Sequence, residues 1–245
     1  MPTSEPSPGG PAVTTGPTAT SPVAPEPPSA AHTAAADVAA GSNQRSDRAG
    51  ERREAILRAA EKIFALEGYH GTTMRDIAAE AGVKLALIVY HFGTKLALYT
   101  AIFESRQYVN LERVARLEAI EDLRAENALE QIVSALADPV LALHTDPEGI
   151  WYARLVLREA ADPSSQDRPI ISTLFDPMAR QFIEALRVAL PGKPSGFYHW
   201  AYLFSVGALT QSSFDARVRN LTDNPELDSK AAVLRSYITA ALRHG

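Results

Sequence analysis

The chain has 245 residues, 46% of them hydrophobic and 22% charged, which is the composition of an ordinary globular protein. Cysteine is absent, which excludes a disulfide framework, cysteine-based zinc sites, thiol catalysis and iron–sulfur clusters. The formal net charge is −5, yet residues 45–95 carry nine basic groups against seven acidic ones, whereas residues 1–44 and 96–245 are both net negative. A local excess of this size permits contact with phosphate groups without demonstrating it.

Residues 1–48 form a segment of distinct composition. Nine of the 17 prolines fall within its first 28 residues, among Ser, Thr, Gly and Ala, and aromatic residues are lacking, which predicts a disordered tail. The arginines at its end, Arg45, Arg48, Arg52 and Arg53, suit either a basic arm on DNA or a basic linker. No apolar run approaches the about 20 residues of a membrane span and no secretory signal is visible, so we expect a cytoplasmic protein without membrane contact.

From Glu51 onward the apolar residues recur at helical spacings of three and four, and Gly68 supplies a helix stop. Thr72 and Thr73 are candidate N-caps for a short helix Met74–Ala81, which is followed by another at about Lys84–Phe92. Further helices, separated by Pro, Gly or Asp, are predicted from Lys95 and at 125–143, 150–160, 170–190, 197–219 and 229–243. No segment shows the alternation of a strand, so the predicted fold class is all-α.

The segment Thr72–Lys95 has the local pattern of a helix-turn-helix. Gly82 suits a sharp turn with a left-handed backbone, and Ala78 is small enough to let the two helices cross closely. The buried apolar positions on either side of the turn are Ile77, Ala81, Val83 and Ile88. An ordinary αα-hairpin would show similar spacing and is the alternative; in a helix-turn-helix, the second helix enters the major groove of DNA.

Residues Arg52–Ile102 resemble the DNA-binding domain of the TetR family of bacterial transcriptional regulators. The motifs that carry the resemblance, in order, are Ile56–Ala60, Phe64, Gly68-Tyr69, Thr72-Thr73, Arg75–Ala78, Ala81–Val83, Tyr90–Phe92, Lys95 and Leu98. The resemblance implies a three-helix DNA-binding domain at residues 49–109 and a larger helical domain at 110–245. It further implies a homodimer that binds a palindromic double-stranded operator and a small-molecule effector, without a cofactor.

The resemblance also assigns residues to the DNA interface. Thr73 and Lys95 match phosphate contacts of the family, and the other positions are Thr72, Lys84, Leu85, Ala86, Leu87, Val89, Tyr90 and His91. Many family members have polar residues at 85 and 87 and tyrosine at 89, where this chain has Leu, Leu and Val. Aliphatic side chains cannot read hydrogen-bonding groups on base edges, but they pack against thymine methyl groups. The alternative for Leu85 and Leu87 is packing inside their own domain.

Two groups of residues in the C-terminal part are candidates for effector binding. Arg154 and Arg158 share a helix face next to Trp151. If that face points inward, the two guanidiniums could bind an acidic ligand; if it points outward, they form surface ion pairs. The second group, at spacings of three and four, is Phe175, Met178 and Phe182, which line a pocket or form a plain core stripe.

The predicted helix 197–219 is rich in aromatic and small residues, which predicts either half of a four-helix dimer interface with the final helix or burial within one subunit. The six histidines are too far apart in sequence to indicate a metal site, and none of the phosphate-loop, nucleophile-elbow or dinucleotide-binding motifs is present. We therefore expect a ligand-responsive DNA-binding regulator, a repressor released by its effector, and not an enzyme. The alternatives are an all-helical enzyme without a recognisable catalytic motif and a helical protein-interaction module.

Overall fold

The computed structural model of the chain describes the backbone of residues 30–221 and 230–245, with side chains from residue 48 onward. The chain divides into two compact units, residues 1–47 and 48–245. Within the described ranges every regular element is helical, which confirms the all-α prediction. The helices are α1 (Ala30–Gly71), α2 (Met74–Glu80), α3 (Leu85–Phe92), α4 (Lys95–Ser105), α5 (Gln107–Glu118), α6 (Ala128–Thr145), α7 (Gly149–Ala161), α8 (Ile170–Leu174), α9 (Asp176–Ala189), α10 (Phe197–Gln211), α11 (Asp215–Arg219) and α12 (Lys230–His244).

The first helix starts earlier than the apolar pattern predicts. It extends back to Ala30 rather than to Glu51, through a stretch rich in alanine, the residue with the highest helix propensity. Of the predicted disordered tail, residues 1–48, the part from Ala30 onward is helical in the structure, and residues 1–29 lie outside the described residues. At the other end, Gly68 has φ of 76°, so the helical regularity breaks where the sequence predicts a stop. A Cβ atom at Gly68 would lie 2.7 Å from Nη1 of Arg158, the mobile end of a long side chain, so the positive φ is the main reason why glycine is favoured at this position.

The two short helices of the predicted helix-turn-helix form by local capping. Thr73 caps α2 in a capping box, in which its hydroxyl accepts from the backbone N–H of Asp76 and its own N–H donates to the Asp76 carboxylate. Gly82 has φ of 64° and supplies the predicted left-handed turn. Gly93 ends α3 with a positive φ, and the Thr94 hydroxyl then caps α4 by accepting from the N–H of Ala97. This part of the fold follows from residues within one helical turn of each other.

Two long helices predicted in the C-terminal part are each divided in two. The break between α8 and α9 falls at Phe175, because Pro177 has no N–H to donate and its ring disfavours a helix continuing through it. The break after α10 falls at Ser212 and Ser213, whose hydroxyls donate to carbonyls of the preceding turn and compete with regular helical bonding. A short 3-10 helix, Pro163–Asp167, joins α7 to α8.

Two large hydrophobic cores hold the helices together. The first includes Phe64, Ile77 and Ile88 from α1–α3, and also Leu155 from α7. It therefore joins the N-terminal helices α1–α4 to the C-terminal helices. The second core is built from α5, α6, α9, α10 and α12, with Phe182 fully buried in it. Because Leu155 of α7 belongs to the first core, α7 packs directly against the N-terminal helices.

In the described part of the chain, no single helix has the length and apolar character needed to cross a membrane. Among the described residues, α3 and the stretch Lys95–Glu118 reach the required length and apolar composition only when they are taken together, and the two are bent by 67° to each other.

Candidate DNA-binding surface and effector cavity

One side of α3 packs into the protein. Ile88 is fully buried, and Leu85 and Leu87 are partly buried against the first core. The structure therefore supports the alternative derived from the sequence, in which these two leucines help to pack their own domain. Their packing against the first core accounts for leucine at positions 85 and 87 of α3.

The opposite side of α3 is exposed. Lys84 and Ala86 point to solvent at its start, and Val89 and Tyr90 follow one turn later with exposed fractions of 48% and 81%. His91 is partly buried beside Tyr90, with the two ring centroids 5.2 Å apart. Residues three and four apart share a helix face, so these side chains form one continuous surface.

The two threonines before α2 have different environments. Thr72 is buried, and its hydroxyl donates to the carbonyl oxygen of Gly68 at 2.8 Å. It holds the connection between α1 and α2, so the assignment of a DNA contact to Thr72 is not retained. Thr73 is exposed, and its hydroxyl donates to Asp76 Oδ2 at 2.7 Å. Hydrogen bonds from Thr73 hold the pKa of Asp76 below its usual value, which keeps this cap charged and intact.

Lys95 begins α4 close to the helix-turn-helix. Its Nζ atom lies 4.5 Å from the centroid of the Tyr69 ring, and the side chain is partly buried. Burial and the nearby Arg168 guanidinium lower the pKa of Lys95. The aromatic ring holds the ammonium group at the start of α4, where a phosphate contact would orient the domain.

A buried ionic network joins the N-terminal helices to α7. The Arg168 guanidinium binds Glu159 Oε2 at 2.9 Å and Asp162 Oδ2 at 2.7 Å, and the Tyr99 hydroxyl donates to Glu159 Oε2 at 2.9 Å. Arg168 and Glu159 are buried, and the guanidinium lies 4.6 Å from the centroid of the Tyr69 ring. Hydrogen bonds from Ser164 and from Arg168 lower the pKa of Asp162 to about 2. Sequence reasoning missed this network: Glu159, Asp162 and Arg168 lie within nine residues of each other, but they show no regular helical spacing, and Tyr99 comes from a helix 60 residues away.

Two further contacts connect the same parts of the chain. Arg106 forms a bidentate pair with the buried Glu61, with both N–O distances at 2.9 Å. Arg158 donates to the carbonyl oxygen of Leu66 at 2.7 Å, next to Gly68 at the end of α1. These contacts show that α7 and the α4–α5 junction are held directly against α1.

A partly open cavity of about 400 Å³ lies among α5, α6, α7, α9 and α10. This volume falls within the about 300–1,000 Å³ typical of small-molecule sites. Its walls are mainly apolar and aromatic, and they include Val140, Tyr152, Val156, Phe175, Met178 and Tyr202. Because Tyr152 and Val156 lie on α7, one face of that helix lines the cavity while Glu159 contacts Tyr99.

The cavity includes two of the six residues predicted to bind an effector. Phe175 and Met178 line it, whereas Phe182 lies in the second core. The predicted arginine clamp does not reach it: Arg158 binds α1, and Arg154 lies over the ring of Trp151, 5.1 Å from its centroid. These contacts place both guanidiniums elsewhere in the protein.

The arginine that does line the cavity is Arg113 on α5. It is buried, and Asn110 Oδ1 accepts a hydrogen bond from its Nη1 at 3.3 Å. Burial lowers the pKa of Arg113. The sequence does contain a signal for it: Val109, Arg113 and Leu117 are each four apart, so a charged residue interrupts an apolar helix stripe.

His144 is a second polar group at the cavity. Both of its ring nitrogens are buried and have no hydrogen-bond partner among the residues that the structure describes. Burial lowers its pKa to about 4, and the nearby Lys230 acts in the same direction. The imidazole is therefore neutral at pH 7 and can donate one hydrogen bond and accept another.

We expect the His144→Gln variant to have a weaker pH dependence of stability than the wild type. Between pH 6.5 and about 4 the unfolded chain binds a proton at His144 that the folded chain does not, so stability falls as the pH is lowered through this window. The contribution has an upper limit of about 1.4 kcal/mol per pH unit. Urea unfolding between pH 7 and pH 5 measures it, with the exposed His244→Gln as control; identical slopes for His144→Gln and the wild type would contradict the expectation.

A large apolar surface covers the outer faces of α10 and α12. The exposed fractions of Trp200 and Phe204 are 60% and 68%, those of Val233 and Tyr237 are 61% and 65%, and Gly207 has open space around it. The Trp200 and Phe204 rings are stacked with centroids 5.8 Å apart. Exposed apolar surface of this kind marks an interaction site. We call these residues the α10–α12 face.

Within the described residues, no group of three His, Cys, Asp or Glu side chains is arranged to hold a metal ion.

An exposed helix on a helix-turn-helix, held against a larger helical domain with an apolar cavity, is the arrangement of a ligand-binding DNA regulator. Comparisons with known proteins agree. Residues 56–102 match the family "Bacterial regulatory proteins, tetR family", and residues 134–242 match the family "Tetracyclin repressor-like, C-terminal domain". The chain belongs to the TetR family of transcriptional regulators.

Individual relatives give the extent of the similarity. The HTH-type transcriptional repressor BepR of Brucella suis biovar 1 is 36% identical over 144 residues, which cover 58% of this chain and 67% of BepR. The HTH-type transcriptional regulator SrpR of Pseudomonas putida is 30% identical over 116 residues, which cover 47% of this chain but only half of SrpR. The crystal structure of HlyIIR, a haemolysin II transcriptional regulator, has the same fold, with a TM-score of 0.58 and 23% identity over 80% of this chain and 99% of HlyIIR.

Proposed function

We propose that this TetR-family regulator is a homodimeric repressor that binds a palindromic operator through α3 and leaves it when a small-molecule effector occupies the cavity. The observation that carries the proposal is the exposed side of α3, on a helix-turn-helix whose core continues into the wall of the cavity. The family includes named repressors such as BepR, which supports repression as the mode of action. Such a protein acts in the cytoplasm, where chromosomal DNA lies.

The contacts to DNA follow from the exposed side chains of α3. Lys84 supplies a charge near the phosphates or bases, and Val89 offers an apolar contact to a thymine methyl group. Tyr90 projects farthest into solvent and has both an apolar ring and a hydrogen-bonding hydroxyl. Leu87 and His91, which are partly buried, flank this surface.

The coupling between cavity and DNA runs through α7. An effector that contacts Tyr152 or Val156 acts on the same helix that holds Glu159 against Tyr99 and Arg158 against α1. A ligand shifts an equilibrium only when it binds one conformation better than the other. We propose that the occupied cavity favours a position of α7 in which the two α3 helices of the dimer no longer match successive major grooves.

The DNA-binding proposal is tested with fluorescence anisotropy on duplexes from the gene's own upstream region. Wild-type protein is expected to bind one of these duplexes in preference to a scrambled sequence. Tyr90→Ala is expected to weaken this binding by about tenfold or more, since a base-contacting side chain contributes about 1–3 kcal/mol. Tyr108→Ala, an exposed tyrosine on α5, is the matched control. Equal binding of all duplexes, or equal loss in both variants, would contradict the proposal.

The phosphate contact assigned to Lys95 has its own test. Lys95→Ala is expected to weaken binding to every duplex about equally and to flatten the plot of log affinity against log salt by roughly one unit for each phosphate that the side chain neutralises. The salt dependence of anisotropy measures this slope, and Lys193→Ala, in the loop between α9 and α10, is the control. An unchanged slope would contradict the phosphate contact, and the contact with the Tyr69 ring would then be the remaining role of Lys95.

A further inference from the structure

We propose that the effector is an amphipathic anion, a carboxylate carried on an apolar body, whose carboxylate binds Arg113. This inference rests on the proposed function, because it takes the cavity among α5, α6, α7, α9 and α10 as the effector site. Two observations support this inference: the Arg113 guanidinium is buried without a counter-charge, and the remaining cavity wall is mainly apolar.

Arg113 is a buried charge without a counter-charge. Only 5% of its surface is exposed, its Nε atom has no hydrogen-bond partner, and no ion pair joins it to a carboxylate within the described residues. Its one described hydrogen bond, to Asn110, leaves most of the five guanidinium N–H donors unused. The Phe182 ring, 5.9 Å from the guanidinium, is an apolar neighbour. Removing such a charge from water is costly unless an anion binds it.

The geometry around Arg113 also shows how it is held in place. Asn110 accepts from Nη1 of Arg113 and donates to the carbonyl oxygen of Leu174, so it fixes the guanidinium relative to the α8 end of the cavity. Asp176 lies on the same cavity, but its carboxylate faces the exposed Arg180, at 3.7 Å. A positioned guanidinium with free donors matches a carboxylate in bidentate geometry.

The rest of the wall selects the body of the ligand. Val140, Val156, Phe175 and Met178 offer apolar surface and no charge. The neutral His144 adds a hydrogen-bonding position without compensating Arg113. A cationic ligand would meet the unpaired guanidinium at close range, so the same cavity disfavours it. The site therefore distinguishes ligands by the sign of their charge.

Three probes with one decyl chain and different head groups test the inference: decanoate, decanol and decyltrimethylammonium. Isothermal titration calorimetry on the wild-type protein is expected to show decanoate binding at least about tenfold more tightly than either other probe, because a hydrogen-bonded charge pair contributes more than a neutral contact. Arg113→Met is expected to abolish that preference for decanoate. Arg113→Lys, which keeps the charge, should retain part of it. Arg116→Met, one turn away and exposed, is the control.

The melting temperature without ligand separates binding from structure. Arg113→Met should melt at or above the wild-type temperature, because methionine removes the cost of the unpaired charge. Tighter binding of the ammonium probe, unchanged decanoate binding in Arg113→Met, or no binding of decanoate to the wild type would each overturn the inference. Operator binding by the ligand-free protein tests the proposed function separately, so either can fail while the other stands.

Discussion

Replacing Arg168 by methionine is expected to lower the free energy of unfolding by about 3–5 kcal/mol, the usual cost of removing one partner from a buried ion pair. The substitution leaves the Glu159 carboxylate buried, with the Tyr99 hydroxyl as its remaining partner in the network. It also removes the cation from the face of the Tyr69 ring. Urea unfolding followed by circular dichroism measures the decrease.

Two further variants show whether the network acts as a buried pair. Arg180→Met removes an exposed pair with Asp176 and is expected to cost less than about 1 kcal/mol. The double variant Glu159→Met with Arg168→Met removes both charges and should recover much of the stability that Arg168→Met alone removes. A decrease for Arg168→Met as small as that for Arg180→Met would contradict the description of Arg168 and Glu159 as a buried ion pair that stabilises the protein.

Phe204→Asp is expected to convert a dimer into a monomer of 26.4 kDa and to weaken operator binding by about 10²–10⁴-fold. The α10–α12 face is the expected dimer interface, since it exposes Trp200, Phe204, Val233 and Tyr237, with open space at Gly207. A carboxylate at its centre would be buried without a partner if two copies packed there. A monomer also cannot bind two half-sites at once, which explains the large effect on DNA.

Light scattering coupled to gel filtration measures the molar mass, and Leu111→Asp is the matched control. Leu111 lies on α5 with an exposed fraction of 67%, against 68% for Phe204. The control should keep the wild-type mass and operator affinity. A wild-type protein that already runs at 26.4 kDa, or a Leu111→Asp variant that dissociates equally, would contradict a dimer through α10 and α12.

The helix-turn-helix could be predicted from sequence in some detail. The left-handed turn at Gly82, the N-cap at Thr73 and the helix that begins at Lys95 all lie where local patterns predict them. Each depends on groups within a few residues of one another, so a single sequence contains the whole interaction. The division of the C-terminal helices at Phe175 was less accessible, because Pro177 is tolerated in the first turn of a helix and does not by itself tell where one helix ends.

The roles of individual side chains on α3 and at the cavity could be assigned only from the tertiary structure. Periodicity leaves Leu87 equally suited to the groove of DNA and to its own core, and only the position of α3 on the first core shows it partly buried. Arg154 and Arg158 have the spacing of a clamp, yet Trp151 and α1 are the groups that they contact.

The all-α class, the capped helices and the resemblance to TetR regulators could be predicted from the amino-acid sequence, because they depend on short-range spacing and residue type. That Arg113 lines an apolar cavity and that Tyr99 contacts the Arg168–Glu159 pair became clear only in the folded protein. The free energy of a charge depends on what surrounds it in space, and the surroundings of Arg113 and Arg168 include aromatic rings from distant helices, Phe182 and Tyr99 respectively. No pattern of spacing contains that information.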